Sequence, residues 1–338
     1  MMITLKQSAT KQDIDAITKK IKELNFSPHV THGKEMTIIG VIGENAILTR
    51  DIFESMAGVE IVTPISKPYK LVSREFKKEN TVIDVGHGVL IGGERVVVMA
   101  GPCSVDTKER LFYTAEAVKS AGARILRGGA FKPRTSPYAF QGHGEKALRF
   151  LADARKQTSL PIVTEVMNVN DVKLVEEYAD IIQVGARNVQ NFDLLKAVGK
   201  TKKAVLLKRG MATTIQEWLL SAEYIMSNGN YNVMLCERGI RTFETSTRFT
   251  MDLNAVPVLR HLCHLPIIVD PSHGVGIREY IPALAKAAVA VGADGLILEV
   301  HPKPEEALSD GPQSLLPEQF AKLMGELRSI ALAVGRTI

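Results

Sequence analysis

Eight apolar, strand-like runs follow one another between Val96 and His301, and each ends in polar or charged residues. Stretches with helical periodicity separate them, and glycines such as Gly122 and Gly292 mark the ends of those helices. Nearly continuous apolar runs are typical of parallel strands that are covered on both faces. The alternation predicts an α/β fold, a (β/α)8 TIM barrel over residues 96–338. The eight runs are VVVMAGPCS, RILRGGAFKPRTS, PIVTEV, IIQVGARN, AVLLKRG, VMLCERG, PIIVDPSH and GLILEVH.

The first 66 residues alternate strand and helix signals on a shorter rhythm. Their order is βαββαβ, which predicts a small ferredoxin-like α+β domain over residues 1–66. Residues 67–95 contain a polar connector and then a glycine-turned hairpin, which we expect to cap the lower end of the barrel. The six predicted elements are MITLK, TKQDIDAITKKIKELN, SPHVTH, EMTIIGVIG, LTRDIFESMAG and VEIVTPIS.

Composition indicates a globular protein and argues against nucleic-acid binding. With 338 residues, 45% of them hydrophobic and 23% charged, the chain has room for a barrel of roughly 250 residues and one small domain. The net charge of +5 is spread along the chain without an aromatic-flanked basic stripe, which argues against nucleic acid and favours phosphorylated small substrates. Three widely spaced cysteines, no apolar leader and no membrane-length apolar stretch predict a soluble cytoplasmic protein.

The strand ends of such a barrel converge at one mouth, so the polar residues that follow the strands should share a cavity. Four of them form a mixed soft and hard donor set suited to a catalytic divalent cation: Cys103, His273, Glu299 and Asp310. Taken singly, the cysteine is equally consistent with a small buried residue, the histidine with a loop cap and the aspartate with a turn former. Their shared position at the mouth favours the metal interpretation.

A second set at the mouth is basic. It comprises Arg127, Lys132, Arg134, Arg187, Lys208 and Arg238. Arginine and lysine together suit a ligand with several negative groups, whereas solvated surface charges would not be expected directly after strands. In KPRTSPYAFQG, two prolines stiffen a loop whose backbone N–H groups, Arg134, Thr135 and Ser136 can surround a terminal phosphate. Simple turn punctuation is the alternative for those prolines.

These two sets suggest carbon–carbon bond formation between two anionic metabolites, with a metal polarising a carbonyl group. A Schiff-base aldolase is the alternative, because Lys132 and Lys208 lie near Arg134 and Arg209, which could lower their pKa values. A non-enzymatic phosphosugar sensor is a third interpretation, although a sensor has no need of a metal set. His301 follows Glu299 at a strand end and is compatible with a position behind the metal ligands, but it is not assigned that role.

The strings AGPCSV, LRGGAFKPRTSPYAFQG, QVGARNVQN, LLKRG, ERGIRTFE, DPSH and EVH followed by ALSDGPQSL closely resemble the 3-deoxy-D-arabino-heptulosonate 7-phosphate (DAHP) synthase family. The resemblance is to the type Iβ branch with an N-terminal ferredoxin-like regulatory domain, and it covers essentially the whole chain. GPCS, KPRTS and DPSH in this order are specific, although each string alone would be weak.

The resemblance implies the first step of the shikimate pathway to aromatic amino acids. Phosphoenolpyruvate and erythrose 4-phosphate would condense with water, with catalytic roles for Lys132, Cys103 and His273. Either Glu165 or a metal-bound group would orient the water. Cys103, His273, Glu299 and Asp310 would bind one Mn²⁺, Fe²⁺, Co²⁺ or Zn²⁺ ion. Phosphoenolpyruvate would contact Arg127, Lys132, Glu165, Arg187, Lys208 and Arg238, and erythrose 4-phosphate would contact Lys132, Pro133, Arg134, Thr135 and Ser136.

The related 3-deoxy-D-manno-octulosonate 8-phosphate synthases, which take arabinose 5-phosphate, carry a KANRSS-like loop where this chain has KPRTS. The four-carbon sugar is therefore preferred. The N-terminal domain implies feedback inhibition by tyrosine or phenylalanine, or alternatively only the stabilisation of an oligomer. A homotetramer is the expected assembly.

Overall fold

The structure is a computed structural model that describes residues 1–32, 36–43, 46–64 and 68–338. These residues form two compact units, Met1–Lys70 and Leu71–Ile338. Glu35, Ile65 and Ser66, which belong to two of the predicted strands, lie outside the described residues, as does Lys67 at the predicted domain boundary.

The first unit has the predicted βαββαβ order, which confirms the ferredoxin-like fold. The elements are β1 (Met2–Leu5), α1 (Lys11–Glu23), β2 (Ser27–His32), β3 (Thr37–Ile42), a 3-10 turn (Ala46–Thr49), α2 (Arg50–Glu54) and β4 (Val59–Thr63). The four strands form an antiparallel sheet in the order β2-β3-β1-β4.

Local sequence explains these elements. Ile3 and Leu5 alternate with outward residues on β1 and are buried. Helix α1 begins at a capping box, in which the Thr10 side chain accepts from the Asp13 N–H and the Asp13 carboxylate accepts from the Thr10 N–H at 2.7 Å. Ile17 on the same helix is fully buried, so the unit has an apolar core of its own.

The second unit contains eight parallel strands that close into a barrel in chain order, which confirms the predicted TIM barrel. Each of the eight apolar runs supplies one strand. The strands are β7 (Val97–Gly101), β8 (Ile125–Arg127), β9 (Ile162–Val166), β10 (Ile181–Val184), β11 (Ala204–Lys208), β12 (Val233–Glu237), β13 (Ile267–Val269) and β14 (Gly295–Glu299).

Helices connect and surround these strands. The helices are α3 (Lys108–Ala121), α4 (Glu145–Thr158), α5 (Val172–Tyr178), α6 (Phe192–Gly199), α7 (Ile215–Met226), α8 (Ala255–Leu262), α9 (Pro271–Val275), α10 (Ile281–Ala290) and α11 (Pro317–Ala333). The two predicted glycines, Gly122 and Gly292, follow the ends of α3 and α10 at positive φ. Helix α3 stops at Gly122, which has a φ of 108°. Short 3-10 turns cover Val169–Asp171, Ala186–Asn188, Arg278–Tyr280, Pro304–Glu306 and Gly311–Gln313.

A two-stranded hairpin, β5 (Ile83–Asp84) and β6 (Leu90–Ile91), precedes the barrel. Its apolar side chains share one buried cluster with the first residues of several barrel strands, including Val97 and Ile125. The hairpin therefore packs on the N-terminal end of the barrel and leaves the C-terminal end free for a site.

This unit buries the single tryptophan of the chain and the two cysteines beyond Cys103. Trp218 on α7 is fully buried and donates from Nε1 to the Leu207 carbonyl at 3.2 Å. Cys236 belongs to the apolar cluster inside the barrel, and Cys263 is fully buried at the end of α8. Within the described parts of the chain, no helix combines the length and the apolar character needed to cross a membrane.

Candidate active site

The C-terminal ends of the barrel strands surround a cavity of about 330 Å³. Every residue predicted to contact a substrate lines it, and so do His273 and Asp310 of the predicted metal set. Basic residues are the largest class among those that line the cavity. The predicted substrate contacts among them are Arg127, Lys132, Pro133, Arg134, Thr135, Ser136, Glu165, Arg187, Lys208 and Arg238.

The four predicted metal ligands lie together beside this cavity. One donor atom from each of Cys103, His273, Glu299 and Asp310 lies within 4.8 Å of the others. The Cys103 thiol donates to Asp310 Oδ2 at 3.0 Å, and His273 Nε2 lies 3.2 Å from Glu299 Oε1. The structure thus brings all four into one cluster although they lie after β7, on α9, at the end of β14 and in the segment after β14.

Two glycines allow the loops after β7 and β8 to approach closely. At Gly101, with a φ of 151°, a Cβ atom would lie 2.1 Å from the Arg127 carbonyl oxygen. At Gly129, a Cβ atom would lie 2.5 Å from the Cys103 carbonyl oxygen. The Gly129 N–H donates to that same oxygen at 3.2 Å, and the Val105 N–H donates to the Gly129 carbonyl at 3.0 Å. Main-chain contacts therefore fix Cys103 next to the strand end that carries Arg127.

Asp270 orients His273. It caps helix α9 by accepting the His273 backbone N–H at 3.0 Å, and its Oδ2 lies 2.7 Å from His273 Nδ1. Burial lowers the pKa of His273, so its ring is neutral and donates from Nδ1 to the carboxylate. The Nε2 lone pair then faces the Glu299 carboxylate at 3.2 Å, and two acceptors at this distance repel each other. A cation bound between them would remove this repulsion.

Glu299 is 1% exposed and both of its oxygens have partners. Arg127 donates to Oε1 at 2.7 Å, and Gln313 donates to Oε2 at 2.7 Å. Burial raises the pKa of this carboxyl group, but positive neighbours such as Arg127 outweigh burial and leave the pKa below its usual value. Glu299 is therefore a carboxylate that is ready to act as a ligand.

Cys103 is buried, and burial together with the Glu299 charge raises the pKa of its thiol to about 12. Lys132 donates from Nζ to the sulfur at 2.8 Å. Burial alone would raise the pKa of Asp310. The nearby positive charges, Lys132 first among them, outweigh burial and lower the pKa, so this carboxyl group stays ionised. A bound cation would supply the charge that a thiolate needs in this buried place.

The Schiff-base alternative would be favoured by a lowered pKa of Lys132, which is near Arg134 in the sequence. Burial does lower it, but the Cys103 sulfur and the Glu299 carboxylate outweigh burial, and the pKa of Lys132 lies above its usual value. The Lys208 ammonium is held by the buried carboxylate of Asp270.

The basic side chains of the cavity differ in burial. Arg127, Lys132, Lys208 and Arg238 are buried, whereas Arg187 is exposed at the rim. The guanidinium carbon of Arg238 lies 4.1 Å from the centre of the Phe249 ring. Among the described residues, Arg238 NH1 is one of the few buried side-chain nitrogens that lacks a hydrogen-bond partner. This unsatisfied donor lies in a cavity wall and suits an anionic ligand.

Several site residues were missed by the sequence analysis. Arg248 lines the cavity, donates to Gln313 Oε1 at 2.7 Å and lies 3.3 Å from Asp310 Oδ1. Gln183 also lines it and donates to Glu165 Oε2 at 2.9 Å. A lone glutamine inside the apolar run IIQV was a usable signal, because a polar side chain within a barrel strand must find a polar partner.

Comparisons with known proteins agree with this geometry. The profile described as DAHP synthetase I family matches residues 77–333, and that described as DAHP synthase ferredoxin-like domain matches residues 1–67. A phospho-2-dehydro-3-deoxyheptonate aldolase of Thermotoga maritima is 52% identical over 335 residues, covering 99% of each chain. A 2-dehydro-3-deoxyphosphooctonate aldolase of Syntrophobacter fumaroxidans is 34% identical over 268 residues, covering 74% of this chain and 92% of its own.

Solved structures are similar as well. A crystal structure of phospho-2-dehydro-3-deoxyheptonate aldolase (DAHP synthase) from Thermotoga maritima matches with a TM-score of 0.95 and 51% identity, covering 99% of this chain and 98% of the other. A truncated form of 3-deoxy-D-arabino-heptulosonate 7-phosphate synthase from the same organism matches with a TM-score of 0.75 and 51% identity. It covers 80% of this chain and 98% of the other.

Proposed function

The chain belongs to the DAHP synthetase I family and is an enzyme of that family, and on this premise we propose that it joins phosphoenolpyruvate to erythrose 4-phosphate. One water molecule is consumed, and the products are DAHP and inorganic phosphate. This is the first step of the shikimate pathway. The observation that carries the proposal is a strongly basic cavity in contact with a four-donor metal cluster.

The charge of the cavity matches these substrates. Phosphoenolpyruvate brings a phosphate and a carboxylate, and erythrose 4-phosphate brings a second phosphate. Seven basic side chains line the cavity against the carboxylates of Glu165 and Asp310. The seven are Arg127, Lys132, Arg134, Arg187, Lys208, Arg238 and Arg248. Without an anion such a set repels itself, so a ligand with several negative groups stabilises it.

We assign the two substrates to different walls. Phosphoenolpyruvate contacts the side chains that follow the inner strand ends, with Arg187 at the rim. These are Arg127, Lys132, Glu165, Arg187, Lys208 and Arg238. Erythrose 4-phosphate lies along the loop after β8, where Arg134, Thr135 and Ser136 bind its phosphate beside Pro133 and Lys132.

Cys103, His273, Glu299 and Asp310 would hold one divalent cation, with Mn²⁺, Fe²⁺, Co²⁺ and Zn²⁺ as candidates. Their donor set fits the ion, because His273 directs a lone pair at a carboxylate and the thiol lies between a lysine and an aspartate. When bound, the ion supplies Lewis-acid polarisation of a carbonyl oxygen.

Side chains of the protein donate the proton and orient the water that the reaction needs. C3 of phosphoenolpyruvate attacks the aldehyde carbon, water adds at C2, and the C–O bond to phosphate then breaks. Lys132 faces both the cavity and the metal cluster, and its raised pKa keeps it protonated as a donor to the aldehyde oxygen. Glu165, held by Gln183 at 2.9 Å, orients the water.

The test is phosphate release from a mixture of the two substrates. We expect release to stop with a chelator, to return with a divalent metal, and to yield DAHP by mass spectrometry. A protein that binds both phosphorylated compounds without releasing phosphate under any of the four metals would be a sensor and would contradict the proposal.

Arabinose 5-phosphate is the second candidate sugar, because relatives named 2-dehydro-3-deoxyphosphooctonate aldolase are similar over the barrel. The full-length similarity to the Thermotoga aldolase and the KPRTS loop favour the four-carbon sugar. Parallel assays with four- and five-carbon aldose phosphates decide between them. A higher kcat/KM with arabinose 5-phosphate would reverse the assignment.

The surroundings of Lys132 and Lys208 disfavour a Schiff-base mechanism. A lysine nucleophile needs a lowered pKa, whereas the pKa of Lys132 is raised and Lys208 is paired with Asp270. Borohydride added during turnover should therefore leave no covalent adduct on the protein. A trapped adduct on Lys132 or Lys208 would establish the other chemistry.

We further propose that residues 1–66 form a regulatory domain that responds to tyrosine or phenylalanine, joined through residues 67–95 to a catalytic barrel at 96–338. The enzyme would work in the cytoplasm as a homotetramer. Deleting residues up to about Val72 should abolish inhibition by either amino acid and preserve turnover. Inhibition that survives in the truncated enzyme would refute the regulatory role, and light scattering on both forms shows whether the domain only stabilises the oligomer.

A further inference from the structure

A second buried polar cluster lies next to the candidate metal ligands and takes no part in the proposed reaction. It comprises Asp106, His301, Ser104 and Ser309, and we call it the Asp106 cluster. The side chains of Asp106 and His301 are each 3% exposed, and His301 Nε2 lies 2.9 Å from Asp106 Oδ2. None of the four is among the side chains found to line the cavity.

The hydrogen bonds of the cluster fix where its protons lie. The Lys303 backbone N–H donates to His301 Nδ1 at 3.1 Å, so that nitrogen carries the lone pair. Nε2 therefore carries the hydrogen and donates to Asp106 Oδ2. The Ser104 hydroxyl lies 3.3 Å from Asp106 Oδ1 and 2.7 Å from the Ser309 hydroxyl. The buried carboxylate thus has hydrogen-bond partners on both oxygens, and Arg110 NH1 lies 3.8 Å from Oδ2.

Each partner in the cluster adjoins a different candidate metal ligand. Ser104 directly follows Cys103, His301 follows Glu299 by two residues, and Ser309 directly precedes Asp310. The Leu308 N–H also approaches Asp106 Oδ2, at 3.4 Å. The cluster therefore connects the segment after β7, which carries Cys103, with the end of β14 and the segment after it, which carry Glu299 and Asp310.

We propose that Asp106 and His301 are positioning residues, which set the spacing of Cys103, Glu299 and Asp310 for a divalent cation. The inference rests on the proposed function, because it presupposes that those residues bind the ion. Ligands are held in place by outer hydrogen bonds, and loss of such a bond typically costs about 10–100-fold in metal affinity. His273 does not depend on the cluster, because Asp270 orients it.

The chain offers a matched control at the other end of the barrel. Asp294 is 2% exposed and precedes β14 at its N-terminal end. Its Oδ2 accepts from the Ile267 N–H at 2.8 Å and from Arg260 at 2.9 Å. Asp294→Asn therefore disturbs a buried aspartate with several partners, far along the same strand from Glu299.

The experiment measures Co²⁺ binding to the full-length protein by chelator competition, followed through the thiolate-to-cobalt charge-transfer absorption. We expect Asp106→Asn to weaken Co²⁺ binding about 10–100-fold. Asp294→Asn should lower the melting temperature but leave Co²⁺ affinity within about twofold of the wild-type value. His301→Leu should resemble Asp106→Asn. His301→Gln should recover much of the affinity, because its amide nitrogen can replace Nε2 as the donor to Asp106.

The outcomes separate this inference from the proposed function. If the wild type shows no charge-transfer band and binds no Co²⁺, the proposed metal site fails and this inference fails with it. If the wild type binds Co²⁺ through Cys103 but both Asp106→Asn and His301→Leu bind it equally well, the positioning inference alone is overturned. Should Asp106→Asn not fold, the comparison of His301→Leu with His301→Gln still decides, and equal affinities in those two would overturn the inference.

Discussion

At its N-terminal end the barrel is closed by apolar side chains, whereas at its C-terminal end it buries charged ones. Ile83 and Ile91 of the hairpin pack there with Met99 and Ile181 of the strands, all fully buried. At the other end, Arg127 pairs with Glu299 and Lys208 pairs with Asp270, with every one of these side chains at most 6% exposed.

The contrast separates the end of the barrel that stabilises the fold from the end that binds ligands. Apolar burial stabilises a protein in proportion to the area removed from water. A buried ion pair is often no better than a packed apolar pair, because desolvation offsets the attraction. The charged end therefore contributes ligand binding and little stability. Apolar burial at the other end offsets the free energy that desolvation of the buried charges costs. Changes at the two ends should affect different measurements.

The largest effect is expected at the charged end, from Cys103→Ala. Turnover should fall by more than the roughly 100-fold upper range for loss of an outer hydrogen-bond partner, because a direct donor is removed. Urea unfolding of the metal-free protein should change little. Steady-state kinetics and unfolding curves followed by the single Trp218 measure both. Cys263→Ala, at another fully buried cysteine, is the control and should keep its turnover.

The next largest effect is expected at the apolar end, where a substitution should change stability and leave substrate binding unchanged. Ile91→Ala should lower the free energy of unfolding by about 2–5 kcal/mol, because it leaves a cavity beneath the barrel. Both Michaelis constants should stay at their wild-type values in the folded enzyme. Urea titration and initial rates test this, and a changed Michaelis constant would mean that the two ends are not separable.

A smaller effect is expected from Arg187→Ala at the rim of the cavity. Removing a charge-assisted hydrogen bond costs about 1.5–3 kcal/mol, which corresponds to roughly 10–150-fold in the Michaelis constant for phosphoenolpyruvate. Arg149→Ala provides the control, since that arginine is exposed on α4 and pairs with Glu145. If both variants keep the wild-type constant, Arg187 does not contact the substrate.

The smallest effect concerns acid stability. The pKa of Asp310 is lowered in the folded protein, so unfolding takes up a proton once the pH falls below its ordinary value near 4. The stability it contributes is present above that pH and is lost as the pH falls towards the folded pKa. Metal-free wild type should lose up to about 1.4 kcal/mol per pH unit more than Asp310→Asn in this range. Ile91→Ala should keep the wild-type slope, and equal slopes for wild type and Asp310→Asn would contradict the assignment.

Much of the fold and of the candidate site could be predicted from the sequence. Once eight apolar runs alternate with helices, topology alone brings the residues after the strands to one mouth. Cys103, Arg127 and Glu299 lie at or just beyond strand ends, and so their convergence was predictable from chain position. The alternation of strand and helix signals likewise placed the elements of the first unit.

What escaped prediction depends on loops and on neighbours. Arg248 lies ten residues beyond Arg238 in a loop that returns to the mouth, and no strand-end rule reaches it. Gln313 bonds to Glu299 from a 3-10 turn. The direction of the Lys132 pKa depends on Cys103 and Glu299, which are distant in sequence, rather than on Arg134, which is near. Such contacts require coordinates.

The close approach of the loops after β7 and β8 has a consequence for motion. Gly101 and Gly129 leave no layer of side chains between the two backbones, and reciprocal hydrogen bonds through Cys103, Val105 and Gly129 fill the gap. Opening the two loops relative to each other therefore requires breaking main-chain bonds rather than rotating side chains. The Gly129 and Val105 amide hydrogens should consequently exchange with deuterium only in rare, cooperative openings. The Cys103 sulfur should move together with the end of β8.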